Sequence, residues 1–350
     1  MIVPDGDPNE TTSTQWYHDH AMDITGPNVN MGLAGFFLVS DGLENQLKTS
    51  GKLPGDAFDI PVVIQDKRLS STGQVLYDSF EHDGFLGNLF VVNGKVQPQF
   101  HVRRRKYRLR FLNGSNARIY KFKLSSGSFL QIGNDSWLLP NAVARDTFVL
   151  APAQRAEMIV DFRNAPAEVF LYNRFVQNDG RGPDGEVSPG TPIMKFVVDQ
   201  TDTPDNNATI APGNPLRPNT PIRDNEIVQT RLFEFARSHG AWVINESFFD
   251  PFRIDARPKK GTAERWILKN SSGGWWHPIH IHLEAHQVQS FSGEGPTPLL
   301  KVKNDTVLLG PNATAVVYIK FRTFPGKFAF HCHNLEHEDM RMMGVFNVEE

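Results

Sequence analysis

The 350-residue sequence predicts an all-β protein built of tandem Greek-key sandwiches, and three observations predict it. Short alternating apolar and polar segments recur along the chain, and no long stretch carries a convincing 3.6-residue period. The 28 glycines and 24 prolines suit a loop-rich β protein, with turn signals at short intervals. Part of the second half repeats part of the first, so the sandwich occurs at least twice.

In chain order, strands are expected at residues 33–39, 58–65, 89–93, 107–112, 119–124, 147–150, 156–162 and 168–172. The last third adds 264–268, 315–321 and 327–331. Residues 178–192 read as a Gly/Pro surface loop. Residues 199–225 hold Pro204, Pro212, Pro215, Pro218 and Pro221 and read as an interdomain linker. The repeat aligns residues 150–162 with 309–321 at an offset of 159. It also aligns Val92-Asn93-Gly94 with Ile244-Asn245-Glu246, and Asn113-Gly-Ser115 with Asn270-Ser-Ser272. His18-Asp-His20 with the following Gly32-Leu-Ala-Gly-Phe-Phe-Leu-Val39 echoes His331-Cys-His333 with Met343-Gly-Val-Phe-Asn-Val348. The expected organisation is a remnant of a first domain over 1–45, a second domain over 46–200, a linker over 201–225 and a third domain over 226–350. At the 159 offset, Tyr172 and Asn173 stand where the third domain has His331 and Cys332, so the second domain is expected to hold no metal.

Composition excludes several function classes. Thirty-six basic against 39 acidic residues give net −3, which supplies no bulk attraction for nucleic acid or an anionic membrane. Hydrophobic residues at 39% suffice for packed cores and are too many for disorder. A single cysteine rules out an intrachain disulfide and a CxxC zinc ribbon. No apolar run of about 20 residues offers a membrane helix. Met1–Asp7 has neither the basic nor the apolar part of a signal peptide. Eight Asn-x-Ser/Thr sequons, from Asn9 to Asn312, keep secretion or a cell-surface location open without requiring it.

Eight of the twelve histidines fall in three clusters: His18-x-His20, His277-Pro-Ile-His280-x-His282, and His331-Cys332-His333 with His337. A lone histidine is usually not a ligand, but three such clusters in one chain point to metal. On a strand, His-x-His sets two rings on one face about 6.6 Å apart, from a rise of about 3.3 Å per residue. In His331-Cys332-His333 the cysteine then faces the opposite way, so one tripeptide reaches ligands on both sides of a strand. Cys332, His337 and Met342, completed by His277, offer a thiolate, imidazoles and a thioether. Two histidines, one cysteine and a weak axial methionine are the donor set of a blue copper site, and the thioether argues against zinc.

The sequence resembles the multicopper oxidase family, in particular its bilirubin oxidase and spore-coat laccase branch. The resemblance rests on Trp16-Tyr-His-Asp-His20, Trp275-Trp-His-Pro-Ile-His-Ile-His282 and Phe330-His-Cys-His-Asn-Leu-Glu-His-Glu-Asp-Met-Arg-Met-Met343. Lys303-Asn-Asp-Thr-Val-Leu-Leu-Gly-Pro311 and Arg108-Leu-Arg-Phe-Leu-Asn-Gly-Ser-Asn-Ala-Arg118 support it. It implies cupredoxin-like domains, one type 1 copper, and a trinuclear cluster of one type 2 and two type 3 coppers. By motif position, His277, Cys332, His337 and axial Met342 are the implied type 1 ligands. His280 is the implied type 2 ligand, and His18, His20, His282, His331 and His333 the implied type 3 ligands. The implied reaction takes single electrons from a small phenolic, aromatic amine or bilirubin-like reductant. They pass through Cys332, His331 and His333 to the cluster, where dioxygen is reduced to water, with Glu338 assisting proton delivery. The family has a further His-x-His motif upstream of Trp16, and residues 1–17 hold none. The expectation is therefore a chain lacking the N-terminal half of the first domain, with six of eight cluster histidines and exposed strand edges. A copper-binding electron-transfer chain without oxygen chemistry is the alternative function.

Other residues have plainer readings. Trp275 either packs in a core or sits beside the type 1 site. Met340, Met343 and His286 read as structural, and Glu338 has a solvated carboxylate as its plain alternative. The basic run 103–110 reads as a solvated strand face rather than a nucleic-acid site. Loops near 178–192 and 290–300 are expected to choose the donor. No residue pattern fixes the oligomeric state.

Overall fold

The computed structural model describes Thr11 and residues 13–350; Met1–Asp7 and the Asn9 sequon lie outside the described residues. A small N-terminal sheet is followed by two β-sandwiches. In the middle sandwich, one sheet runs in the order Phe129–Asn134, Arg155–Asp161, Lys106–Asn113, Asp59–Leu69, Leu89–Val92. In the third, the matching sheet runs His286–Ser292, Thr314–Lys320, Ala263–Asn270, Ile227–Ser238, Ala241–Ile244. Both contain one parallel pair at the same place, Asp59–Leu69 with Lys106–Asn113 and Ile227–Ser238 with Ala263–Asn270. The facing sheets also match: Thr147–Leu150, Tyr120–Leu124, Glu168–Val176, Gly185–Val198 against Thr306–Leu309, His277–Ile281, Gly326–Cys332, Met343–Val348. Each sandwich closes over its own core, one around Leu109, Phe111 and Phe122, the other around Trp266, Leu268 and Phe330.

Strand Lys106–Asn113 shows how alternation builds the molecule. Tyr107, Leu109 and Phe111 point into the middle core. Arg108 and Arg110 point the other way, and they are not solvated as the sequence suggested: they are 0% and 2% exposed. The helix Gly42–Thr49 and the N-terminal segment cover them. Arg108 bonds Glu44 at 2.8 Å and Glu157, while Arg110 bonds Asp59 at 2.7 Å and Glu44 at 2.9 Å. Ser13 and Thr14 join this network, so it fastens the N-terminal strand to the middle sandwich. Burial opposes charge on Asp59, yet the Arg110 and Arg108 guanidiniums hold its carboxyl at about 2.

The structure corrects two further expectations. Residues 185–198 form a strand rather than part of a surface loop. Its ladder with Glu168–Val176 breaks register twice, and Pro192 sits at one of the breaks, where bulges tolerate proline. Residues 199–225 carry no strand but are no loose linker. Ile210 and Leu216 are buried against Leu47 and Leu139, and backbone bonds tie Ile210 to Lys52 and Leu216 to Pro140.

At the N-terminus, Thr14–His18 pairs antiparallel with Ala34–Leu38. This two-stranded sheet leaves Tyr17, Phe37 and Leu38 at 62%, 59% and 45% exposed. Helix Gly42–Thr49, capped by the Asp41 carboxylate on Glu44 N–H at 2.9 Å, spans residue 45. Eight mostly polar residues are too few for a helical period to register.

Candidate metal centres

Strand pairing brings the histidine motifs together. His277–Ile281 lies beside Gly326–Cys332 with Ile279 opposite Cys332 and His280 opposite His331. The chain then turns at Asn334, whose Oδ1 caps helix Leu335–Asp339 by accepting from Glu336 N–H and His337 N–H. That short helix returns His337 to the face that Cys332 points toward.

His277, Cys332 and His337 form one candidate group, all fully buried, with donor atoms within 4.8 Å of one another. Cys332 Sγ is 3.4 Å from His277 Nδ1 and 3.5 Å from His337 Nδ1. The outer nitrogens fix both tautomers. The Asp83 carbonyl can only accept, so His337 Nε2 carries a proton toward it at 3.1 Å. Ser272 Oγ donates to Asn270 Oδ1 at 2.7 Å and so accepts from His277 Nε2 at 2.7 Å. Both Nδ1 lone pairs therefore face the sulfur. Burial pushes the His277 pKa down to about 3 and lowers that of His337, so neutral imidazoles are available at neutral pH. Burial also pushes the Cys332 thiol up, which a bound cation would reverse. Met342 is fully buried, and its backbone carbonyl accepts from Cys332 N–H at 3.1 Å.

The second group is His20, His282 and His331. Their three Nε2 atoms lie 3.1–3.3 Å apart. Glu338 organises them: Oε1 is 3.3 Å from His20 Nδ1 and Oε2 is 3.0 Å from His331 Nδ1. Burial raises the Glu338 pKa and opposes charge on His331, but their mutual attraction outweighs both, leaving Glu338 lowered and His331 raised. Glu338 is 0% exposed, which overturns its reading as a solvated carboxylate. His331 Nδ1 also faces the Cys332 carbonyl at 3.1 Å, so His20 and His331 carry their protons on Nδ1 and turn their Nε2 lone pairs toward His282 Nε2. Lone pairs so placed repel unless a positive charge sits between them, and the residues thus fit a metal ion.

Two smaller arrangements adjoin this group. His18 and His333 approach through their Nε2 atoms at 3.3 Å. His280 faces the Asp305 carbonyl through Nδ1 at 2.8 Å, leaving Nε2 free, and burial lowers its pKa to about 3. A cavity of about 500 Å³, lined by Trp16, His18, His280 and His282, opens beside them.

Sequence reasoning missed the supports. Trp242, not Trp275, stacks on the donors: its ring centroid is 3.9 Å from His337, and Trp275 lies one layer out against Trp242 at 5.4 Å. Trp242 Nε1 donates to the His82 carbonyl at 3.3 Å, so His82 and Asp83 of the middle sandwich hold two neighbouring rings. Arg155, 2% exposed, bonds Asp305 at 2.9 Å and the Thr14 carbonyl at 3.3 Å, joining the segment that bears His18 and His20 to the one that orients His280. Glu336 accepts from Phe85 N–H, Tyr77 and Asn116, and burial pushes its pKa up to about 7. Asp305 and Glu336 lie inside quoted motifs and Arg155 inside the repeat, which is the signal that could have singled them out. His286 is buried, and neither ring nitrogen has a hydrogen-bond partner among the described residues. Of the two donor loops expected, residues 178–180 line a cavity of about 450 Å³ together with Asp83 and Arg237. Residues 296–299 line a different cavity.

The chain is similar to known proteins over nearly its whole length. Residues 219–350 match a protein family described as Multicopper oxidase. The chain is 35% identical to a bilirubin oxidase from Albifimbria verrucaria, aligned over 97% of this chain and 61% of that protein. It is 34% identical to a laccase from Bacillus stratosphericus, over 97% and 72% respectively. The crystal structure of the McoA multicopper oxidase from the hyperthermophile Aquifex aeolicus superimposes with a TM-score of 0.86 at 30% identity, covering 97% of this chain and 76% of that one. The chain thus spans between three-fifths and about three-quarters of these relatives' lengths.

Proposed function

The chain belongs to the multicopper oxidase family, and from that premise we propose that it couples one-electron oxidation of a phenolic, aromatic amine or bilirubin-like donor to reduction of dioxygen to water. The observation that carries the proposal is the tripeptide His331-Cys332-His333. Its central sulfur belongs to the His277–His337 group, and its flanking imidazoles reach His20, His282 and His18. One covalent stretch therefore joins a site for taking electrons to a site for using them.

On this reading, His277, Cys332 and His337 would hold a type 1 copper with Met342 as a weaker fourth donor, and His20, His282 and His331 would hold one type 3 ion. His18 and His333 contribute to the other type 3 ion, and His280 to the type 2 ion. Copper in these sites would supply the one-electron redox steps and the chemistry toward dioxygen. The protein's own groups do the rest. Asp83 and Ser272 fix the imidazole tautomers, and Trp242 shields His337 from water. Glu338 holds His20 and His331 in register and is placed to pass a proton toward the cluster. The donor enters the cavity of about 450 Å³ above Asp83, whose carbonyl touches His337.

Cys332→Ser tests the proposal. It should abolish intense visible absorption and, with it, oxygen uptake driven by a phenolic donor. A variant that keeps both would overturn the ligand assignment. A second reading, electron transfer without oxygen reduction, is favoured by one feature. Among the described residues His280 belongs to neither three-donor group and His18 pairs its Nε2 with that of His333, and ligand sets this small bind copper weakly. Donor oxidation without oxygen uptake in the wild-type chain would select it.

A further inference from the structure

Between the middle and third sandwiches, separated from His280 by Thr306, lies a second kind of site. A cavity of about 260 Å³ is walled by the end of strand Trp137–Arg145 and strand Thr147–Leu150 on one side, and by Thr297, Asn304 and Thr306 on the other. Its charged lining residues are Lys121, Arg145 and Arg155, and no aspartate or glutamate lines it. Two of these cations are neutralised from outside the cavity. Arg155 is held by Asp305 at 2.9 Å, and Lys121 pairs with Glu186.

Arg145 is different. Its Nε donates to Gln131 Oε1 at 3.0 Å, and among the described residues it makes no ion pair. Burial alone acts on its pKa, lowering it, and no carboxylate opposes the effect. Guanidinium does not lose its proton in proteins, so a permanent charge stands half-withdrawn from water without a counter-charge. That arrangement costs free energy unless something negative enters. The neighbouring lining groups, Thr147, Gln154 and Thr297, are neutral side chains able to hydrogen-bond such a group.

We propose that this interdomain cavity binds a small oxyanion, inorganic or carboxylate, gripped by the Arg145 fork and bonded across the gap by Thr297. Bidentate recognition of a planar or tetrahedral oxyanion is what guanidinium geometry favours. The bound anion joins the two sandwiches directly behind Asp305, whose carbonyl orients His280. It therefore stiffens the interface that aligns the histidine groups, without contacting them.

The test is thermal unfolding of the full chain in series of sodium sulfate and sodium succinate, each matched to sodium chloride at equal ionic strength. A specific site gives a Tm rise following ligand occupancy. General salting-out by sulfate instead rises without saturating and is the same in any variant. The expected result is an occupancy-type rise with at least one of the two anions. The concentration needed should be at least tenfold higher in Arg145→Gln, with an intermediate value in Arg145→Lys. If sulfate alone acts, the ligand is an inorganic oxyanion; if succinate alone acts, it is an organic acid; either supports the site. Should Arg145→Gln fold poorly, Thr297→Asp carries the test, because it places a carboxylate in the cavity from the opposite wall and must weaken binding. Unsaturating curves in the wild type, or equal curves in wild type and variants, overturn the proposal.

Discussion

The middle and third sandwiches are two answers to one design, and they part at a few side chains. Asn113 and Asn270 are both fully buried and make the same bonds. Each accepts from the N–H two residues on and donates to a carbonyl of the repeat, Leu150 or Leu309. Asn93 and Asn245 likewise both accept from the neighbouring inner strand, at Val63 N–H and Glu234 N–H, with positive φ of 48° and 50°. Five residues past the paired serines the copies diverge. Ser115 bonds the Tyr120 hydroxyl at 2.9 Å, where Ser272 bonds His277 Nε2 at 2.7 Å. Asn173 stands in the place of Cys332 and spends its amide on backbone, accepting from Lys121 N–H of the neighbouring strand at 3.0 Å and donating to the Phe175 carbonyl at 3.1 Å. The connection after that position differs too. Strand Glu168–Val176 simply continues, whereas Gly326–Cys332 turns into the Asn334-capped helix that returns His337. A donor site on this scaffold needs two side-chain exchanges and one helical turn, and the middle copy has none of them.

The largest expected effect comes from importing the middle copy's residue into the third. Cys332→Asn should remove all intense visible absorption from copper-loaded protein, while Asn173→Cys should gain none, because no imidazole flanks it. Colour in Asn173→Cys would break the comparison. Next, Glu338→Gln should weaken copper binding at the three-histidine group about 10–100-fold, a usual cost of losing an outer hydrogen-bond partner of a ligand. Absorption from the Cys332 site should stay unchanged in that variant, and equilibrium dialysis with absorption spectra reads both.

Much of this was legible in the sequence, and the reasons for the rest are local. Every expected strand has a counterpart, since period-two alternation shows wherever one face meets a core. The strand Phe129–Asn134 escaped because its outer face is also covered, which erases the alternation. The basic run 103–110 was misread for the same reason. A strand buried on both faces carries Arg108 and Arg110 on the covered face opposite the core, and only the distant partners Glu44, Asp59 and Glu157 reveal it. The clustered histidines stood out because His-x-His repeats are rare. Their supports, such as Trp242 and the Asp83 carbonyl, come from remote segments and carry no spacing signal.

The buried ion network of the middle sandwich gives a smaller, pH-dependent effect. The Asp59 pKa falls from 3.8 to about 2 on folding, so its contribution is complete above pH ~4 and is lost as pH falls toward 2. Its size is about 2 kcal/mol, at about 1.4 kcal/mol per pKa unit. Asp59→Asn should flatten acid unfolding over that window, as followed by circular dichroism. Ser115→Ala is expected to cost about 1–3 kcal/mol, because it unpairs the buried Tyr120 hydroxyl and the Asp66 N–H, with no change in metal content. Ser272→Ala should instead shift the absorption band, because the His277 tautomer loses its anchor.

The central claim is that the third sandwich holds one donor group whole and two histidines of the other, while its twin holds none. Anomalous diffraction at the copper edge, on crystals soaked with copper, tests it most directly. The account predicts peaks among His277, Cys332 and His337 and among His20, His282 and His331, with nothing beside Tyr120 and Asn173. A peak beside Asn173, or no peak between His277 and His337, would contradict it.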